Sequence, residues 1–218
     1  MWREFARIVR LAVASGLSLA LAGAPVGAAE PGASEWAASA TSAMRLVTAG
    51  GLGAGAYLAG VEIRLQGDGH TYWRHPGDAG VPPEFMFDGS ENLSSAVVRY
   101  PAPRRFKEGG VDVFGYMRHV IFPLDVTPAD PSRPVVLALR LRYAACEKIC
   151  IPAEGEVRLR LTPDSPATEQ APRVQAYSGR VPAPLDRNAA ALELAPLEDR
   201  KSTRLNSSHV ALSRMPSS

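Results

Sequence analysis

Residues 135–161 read VVLALRLRYAACEKICIPAEGEVRLRL and can be folded back on themselves in only one useful way. With Glu147, Lys148 and Ile149 as the turn, facing positions sum to 296. Val135 then meets Leu161, Leu137 meets Leu159 and Leu139 meets Val157 on one face. On the other face Arg140 meets Glu156 and Arg142 meets Glu154. One apolar face and one face of cross-strand ion pairs is the pattern of a half-buried antiparallel hairpin. A slip of one residue would lose both patterns together.

The same register sets Cys146 opposite Cys150, the only two cysteines in the chain, at the mouth of the turn. Facing residues there are expected to have Cα atoms about 5.5 Å apart, which suits a disulfide. Three uses of the pair follow from the residues. The first is a structural staple in a non-catalytic interaction module, although closing a loop of about five residues contributes only about 2 kcal/mol. The second is thiol:disulfide exchange, for which a hairpin tip is accessible; Lys148 favours a thiolate and Glu147 opposes it. The third is Cu(I) binding, with His70, His75 or His119 joining the two thiolates, although no spacing ties a histidine to them.

Upstream, short alternating runs are separated by turn residues. Val61, Ile63 and Leu65 alternate with Glu62 and Arg64; HTYWR follows at 70–74, EFMF at 84–87, AVVRY at 96–100, VDVFGY at 111–116 and HVIFPLDV at 119–126. No stretch between 57 and 161 carries a helical apolar period, so the chain is expected to be all-β, a sandwich or barrel. The glycine-rich GGLGAGA at 50–56 lacks the Lys and Ser/Thr of a phosphate-binding loop and reads as an ordinary loop.

The two ends are set apart by composition. Arg3, Arg7 and Arg10 precede an uncharged run from Leu11 and small residues at Gly27, Ala28 and Ala29, so residues 1–28 are expected to be a cleaved export signal. Residues 29–56, rich in Ala, Gly and Ser, are expected to be a flexible lead-in to a domain at 57–163. Residues 164–199 read as a linker and the start of a truncated second unit, and the serine-rich, acid-free 200–218 as a non-native tail. The whole chain has a formal net charge of +2, but residues 29–199 hold 17 Lys and Arg against 21 Asp and Glu. That removes the compositional support for nucleic-acid binding, and the mature chain is expected to be soluble and to reside where a disulfide persists.

DGHTYWRHPGDAGVPPEF at 68–85, VRYPAPRRF at 98–106, HVIFPLDVTPADP at 119–131 and, above all, LRYAACEKICIPAEGEVRL at 141–159 together resemble the N-terminal periplasmic domain of the DsbD family of thiol:disulfide interchange proteins. The resemblance implies an immunoglobulin-like antiparallel β-sandwich with no bound cofactor or metal. It implies that Cys146 and Cys150 are the catalytic pair, passing reducing equivalents between a membrane-embedded donor and thioredoxin-like periplasmic proteins. By analogy Cys146 is the residue that forms mixed disulfides. An aromatic cap over the pair falls in the run Val111 to Tyr116, with Phe114 the candidate cap and Tyr116, Trp73 and Tyr72 further candidates for lining the site. The cysteines are closer together here than in the best-known members. The transmembrane module and C-terminal thioredoxin-like domain of the full protein are not in the sequence, which is expected to be a fragment or a shorter exported form served by a separate donor.

Overall fold

The hairpin has the expected register throughout. Strands β10 (Val135–Cys146) and β11 (Cys150–Leu161) pair from Val135 with Leu161 to Cys146 with Cys150, with Arg140 facing Glu156 and Arg142 facing Glu154. The structure is a computed structural model that describes residues 30–53, 55–163 and 165–184. The expected export signal and non-native tail lie outside the described residues. So do residues 185–199 of the expected second unit.

Among the described residues there are eleven strands and one helix. The other strands are β1 (Ala37–Ala38), β2 (Ser42–Gly53), β3 (Ala56–Leu65), β4 (His70–Gly77), β5 (Glu84–Met86), β6 (Leu93–Val98), β7 (Arg104–Glu108), β8 (Val111–Met117) and β9 (His119–Pro128). The helix is α1 (Ala171–Ser178). One sheet has the order β1-β2-β3-β9-β6, and the second has β11-β10-β4-β8-β7 with β5 also on β10. All pairings are antiparallel. Side chains from the two sheets interdigitate in one core, with Leu46, Val61, Ile63 and Phe122 from the first and Leu137, Leu139 and Leu141 from the second. The all-β sandwich expected from the alternating runs is therefore the observed architecture.

Two boundaries read from composition are corrected. The lead-in at 29–56 contains β2, a core strand between β1 and β3. Its residues from Arg45 to Gly50 are buried on both faces, so it shows no alternation to betray it. The glycine run is the bulged end of this strand, with shifts between Thr48 and Gly50 and between Gly51 and Gly53. At Gly50, φ is 107° and a Cβ would lie 2.6 Å from the carbonyl oxygen of Pro166, so only glycine fits.

The expected linker at 164–199 contains α1, which covers the outer face of the first sheet. Val174 and Ala171 pack there against Val47, Ala49 and Ile121. Beneath the helix lies Glu62, which is fully buried. It accepts from Arg45 Nε at 2.8 Å and from Arg173 of the helix, and lies 2.8 Å from His119 Nε2. Burial raises its pKa, but the hydrogen bonds from His119, Arg173 and Arg45 outweigh that and hold it well below the usual carboxylate range.

Candidate functional site

Cys146 and Cys150 form a disulfide with Cα atoms 4.0 Å apart, closer than expected from the register alone. The neighbouring pair is the hydrogen-bonded one, with Glu147 N–H donating to Ile149 O at 3.2 Å. The cysteines therefore occupy a non-hydrogen-bonded position, where facing Cα atoms approach more closely.

Strand parity decides which side chains meet the disulfide. Odd positions of β10 from Val135 to Ala145 point into the main core, while Cys146 lies with Arg140, Arg142 and Ala144 on the opposite, outer face. Cys146 is nevertheless only 2 % exposed, because side chains of β4, β7 and β8 on the same face of this sheet cluster with it. A small second core results, made of Tyr72, Val113, Ala144 and Cys146 with Phe106 packed against it. Cys150, at the start of the edge strand β11, is exposed, and beside it Ile149 is 71 % exposed at the tip of the turn.

His70 and Tyr72 reach the site from β4, and Phe106 and Glu108 from β7. The Tyr72 hydroxyl donates to Glu108 Oε2 at 2.8 Å and lies 3.2 Å from Cys150 Sγ and 3.3 Å from Cys146 Sγ. Glu108 Oε1 is 3.3 Å from Cys150 Sγ. Burial, with the Glu108 carboxylate adding to it, pushes the Tyr72 phenol well above its ordinary pKa, so the hydroxyl stays protonated. Gly80, at φ 106°, lies flat on the Tyr72 ring, where a Cβ would come within 2.5 Å of Cε1. His70 pairs with Cys146 across the β4–β10 ladder; its ring meets Phe106 edge-on at 4.8 Å, and its Nε2 is 3.4 Å from Glu108 Oε2.

Of the candidates read from the sequence, Tyr72 is at the disulfide and three are not. Trp73, one residue on, faces the other way and packs against the main core and Phe114, at 6.5 Å between ring centroids. Phe114 shares that face, and Tyr116 is a core residue whose hydroxyl donates to Pro101 O at 2.8 Å. The aromatic packed against the buried cluster that holds Cys146 is Phe106, paired with Val113 across the β7–β8 ladder. Of the histidines proposed to join the thiols, His70 does adjoin them, His119 is bound up with Glu62 and Tyr177, and His75 lies edge-on to Trp73. Glu108 and Phe106 carry no motif of their own. Their signal is the alternation in RRFKE, which puts both on one face.

A shallow cavity of about 390 Å³ opens two residue pairs down the hairpin, lined by Ala144, Pro152, Val81, Pro82 and Tyr143. Among the described residues no helix is long and apolar enough to cross a membrane.

No curated protein matches the sequence. Among solved structures, the N-terminal periplasmic domain of ScsB from Proteus mirabilis aligns with a TM-score of 0.56 and 23 % identity, covering 71 % of this chain and 61 % of that one. This chain thus spans less than two thirds of that structure's length, and the likeness bears on the fold, an immunoglobulin-like β-sandwich. The yeast GGA1 GAE domain aligns over 58 % of this chain and 97 % of that one at 8 % identity, but with a TM-score of 0.30, too low to bear on anything. The sequence itself is matched from residue 53 to 162 by the family model of the N-terminal domain of the thiol:disulfide interchange protein DsbD, and a chain with this fold, this hairpin and this disulfide belongs to that family.

Proposed function

We propose that this domain works in the periplasm as a thiol:disulfide exchange protein, moving two electrons through Cys146 and Cys150 between a membrane-embedded donor and thioredoxin-like acceptors. The observation that carries the reading is the asymmetry of the disulfide, with one sulfur on an exposed residue at a hairpin tip and the other on a buried one. A staple gains nothing from such a position, whereas exchange requires that a foreign sulfur reach one end of the bond.

The asymmetry also supports an order of attack that differs from the one implied by family analogy. A donor thiolate attacks Cys150 Sγ, the S–S bond breaks, and Cys146 leaves as a thiolate beside the Tyr72 hydroxyl. The donor's second thiolate then attacks the mixed disulfide, forming the donor's own disulfide and releasing Cys150. Two protons are taken up, and the dithiol is ready for the reverse sequence with an acceptor. Cys150, rather than Cys146, is the residue that forms mixed disulfides in this scheme. Ile149 and the cavity beside Pro152 offer apolar contact to whichever partner docks.

The test is trapping. Cys146→Ser leaves the exposed thiol and should accumulate mixed disulfides with thioredoxin-like proteins, while Cys150→Ser should not. A wild-type pair equilibrating with glutathione in the range of about −180 to −270 mV supports exchange; a value below about −300 mV, with slow reduction of the folded protein, refutes it.

A further inference from the structure

We infer that the reduced form of this domain is a Zn(II) site, built from Cys146, Cys150, His70 and Glu108. Donor atoms of His70, Glu108 and Cys146 all lie within 4.8 Å of one another, and two of the three residues are buried. The fourth donor, Cys150 Sγ, is bonded to Cys146 and lies 3.3 Å from Glu108 Oε1. Two sulfurs, an imidazole nitrogen and a carboxylate oxygen make up the four-coordinate set that zinc takes. Ions that demand six or more oxygens are excluded by the same set. Cu(I) would be satisfied by the sulfurs and the nitrogen, leaving Glu108 without a role, so dependence on Glu108 separates the two metals.

Neighbouring contacts hold the donors in place before any ion arrives. The His70 ring is fixed edge-on against Phe106 and Tyr72, with centroids 4.8 and 5.4 Å away. Tyr72 donates to one carboxylate oxygen of Glu108, as an outer partner of a metal ligand does. Access is gated by redox state. A dithiol must first supply two electrons and two protons to open the disulfide, itself becoming a disulfide; Zn(II) then displaces both thiol protons with no electron transfer. A zinc-bound pair has no free thiolate, so metal occupancy would hold the reduced protein out of exchange.

The inference shares with the proposed exchange only the opening of the bond in the folded protein, and it is read without any exchange partner. The protein is reduced with a phosphine, freed of reductant under anaerobic conditions and titrated with Zn(II) against a chromophoric chelator. One equivalent should bind to reduced protein and none to oxidised. His70→Ala and Glu108→Gln should each weaken binding at least about tenfold, the lower bound for losing even an outer partner. Cys150→Ser, at an exposed position that leaves the fold intact, should weaken it at least as much. Reduced protein holding no more zinc than oxidised protein would overturn the inference. So would His70→Ala and Glu108→Gln proteins that bind as tightly as wild type, or Cu(I) uptake indifferent to Glu108 in a protein that takes no zinc. Exchange measured on zinc-free protein stands or falls separately.

Discussion

The Tyr72 hydroxyl gives its one proton to Glu108 Oε2 at 2.8 Å, although both sulfurs of the disulfide lie within 3.3 Å of the Tyr72 hydroxyl oxygen itself. The carboxylate therefore competes with sulfur for this hydroxyl, and it stands directly against Cys150.

A carboxylate at that distance opposes ionisation of a thiol. In the reduced protein Glu108→Gln should raise the alkylation rate of Cys150 at pH 7 about tenfold, the change that one pKa unit brings. Iodoacetamide kinetics followed by mass measure it, and an unchanged rate would mean that Glu108 turns away once the bond opens.

The two aromatic candidates for a cap make opposite predictions. Phe106→Ala uncovers the buried cluster around Cys146 and should speed reduction of the disulfide by a small thiol several-fold. Phe114→Ala, which removes a side chain packed on Trp73, should leave that rate within about twofold, because coupling between residues is confined to those that share contacts. Stopped-flow reduction of the two variants compares them, and a faster Phe114→Ala protein would restore the family's cap to that residue.

Removing the disulfide should cost little. With only about five residues in the closed loop, the Cys146→Ala, Cys150→Ala protein should lose about 2 kcal/mol and remain folded. Urea denaturation gives the value; a loss of the whole fold would favour the staple reading.

Glu62 gives the stability of the far sheet a pH dependence whose sign is fixed. Its folded pKa is depressed below the ordinary 4.5, so its contribution is complete above that value and is lost as pH falls through the range beneath it. The melting temperature should drop on acidification below about pH 4.5, and Glu62→Gln should weaken that dependence while costing about 3 kcal/mol at neutral pH, because Arg45, Arg64, His119 and Arg173 lose their buried partner. Thermal melts at several pH values test both.

The hairpin was legible in the sequence because each face repeats one chemistry along its length, apolar at Leu137 and Leu139 and charged at Arg140 and Arg142. The same rule of alternation separates Tyr72 from Trp73 and Phe106 from Phe114, once it is known which face of β4, β7 and β8 adjoins Cys146. Sequence cannot supply that, since the order of strands in the sheet is a matter of tertiary structure. For the same reason neither β2 nor the burial of Glu62 is legible in the sequence. A strand or a carboxylate buried under α1 does not announce the helix above it, and α1 itself is only eight residues long with two of them buried.

The β10–β11 pairing runs uninterrupted over twelve facing positions, the last of which is the cysteine pair. Exchange requires three sulfurs in line, so orientation is the demanding part of the encounter. A ladder of this length presents the acceptor bond on a stiff arm, and the entropy of aligning it was spent when the chain folded. What is left to the encounter is the partner's approach, which makes docking at the tip, and not rearrangement within this domain, the step where a change of partner would be registered.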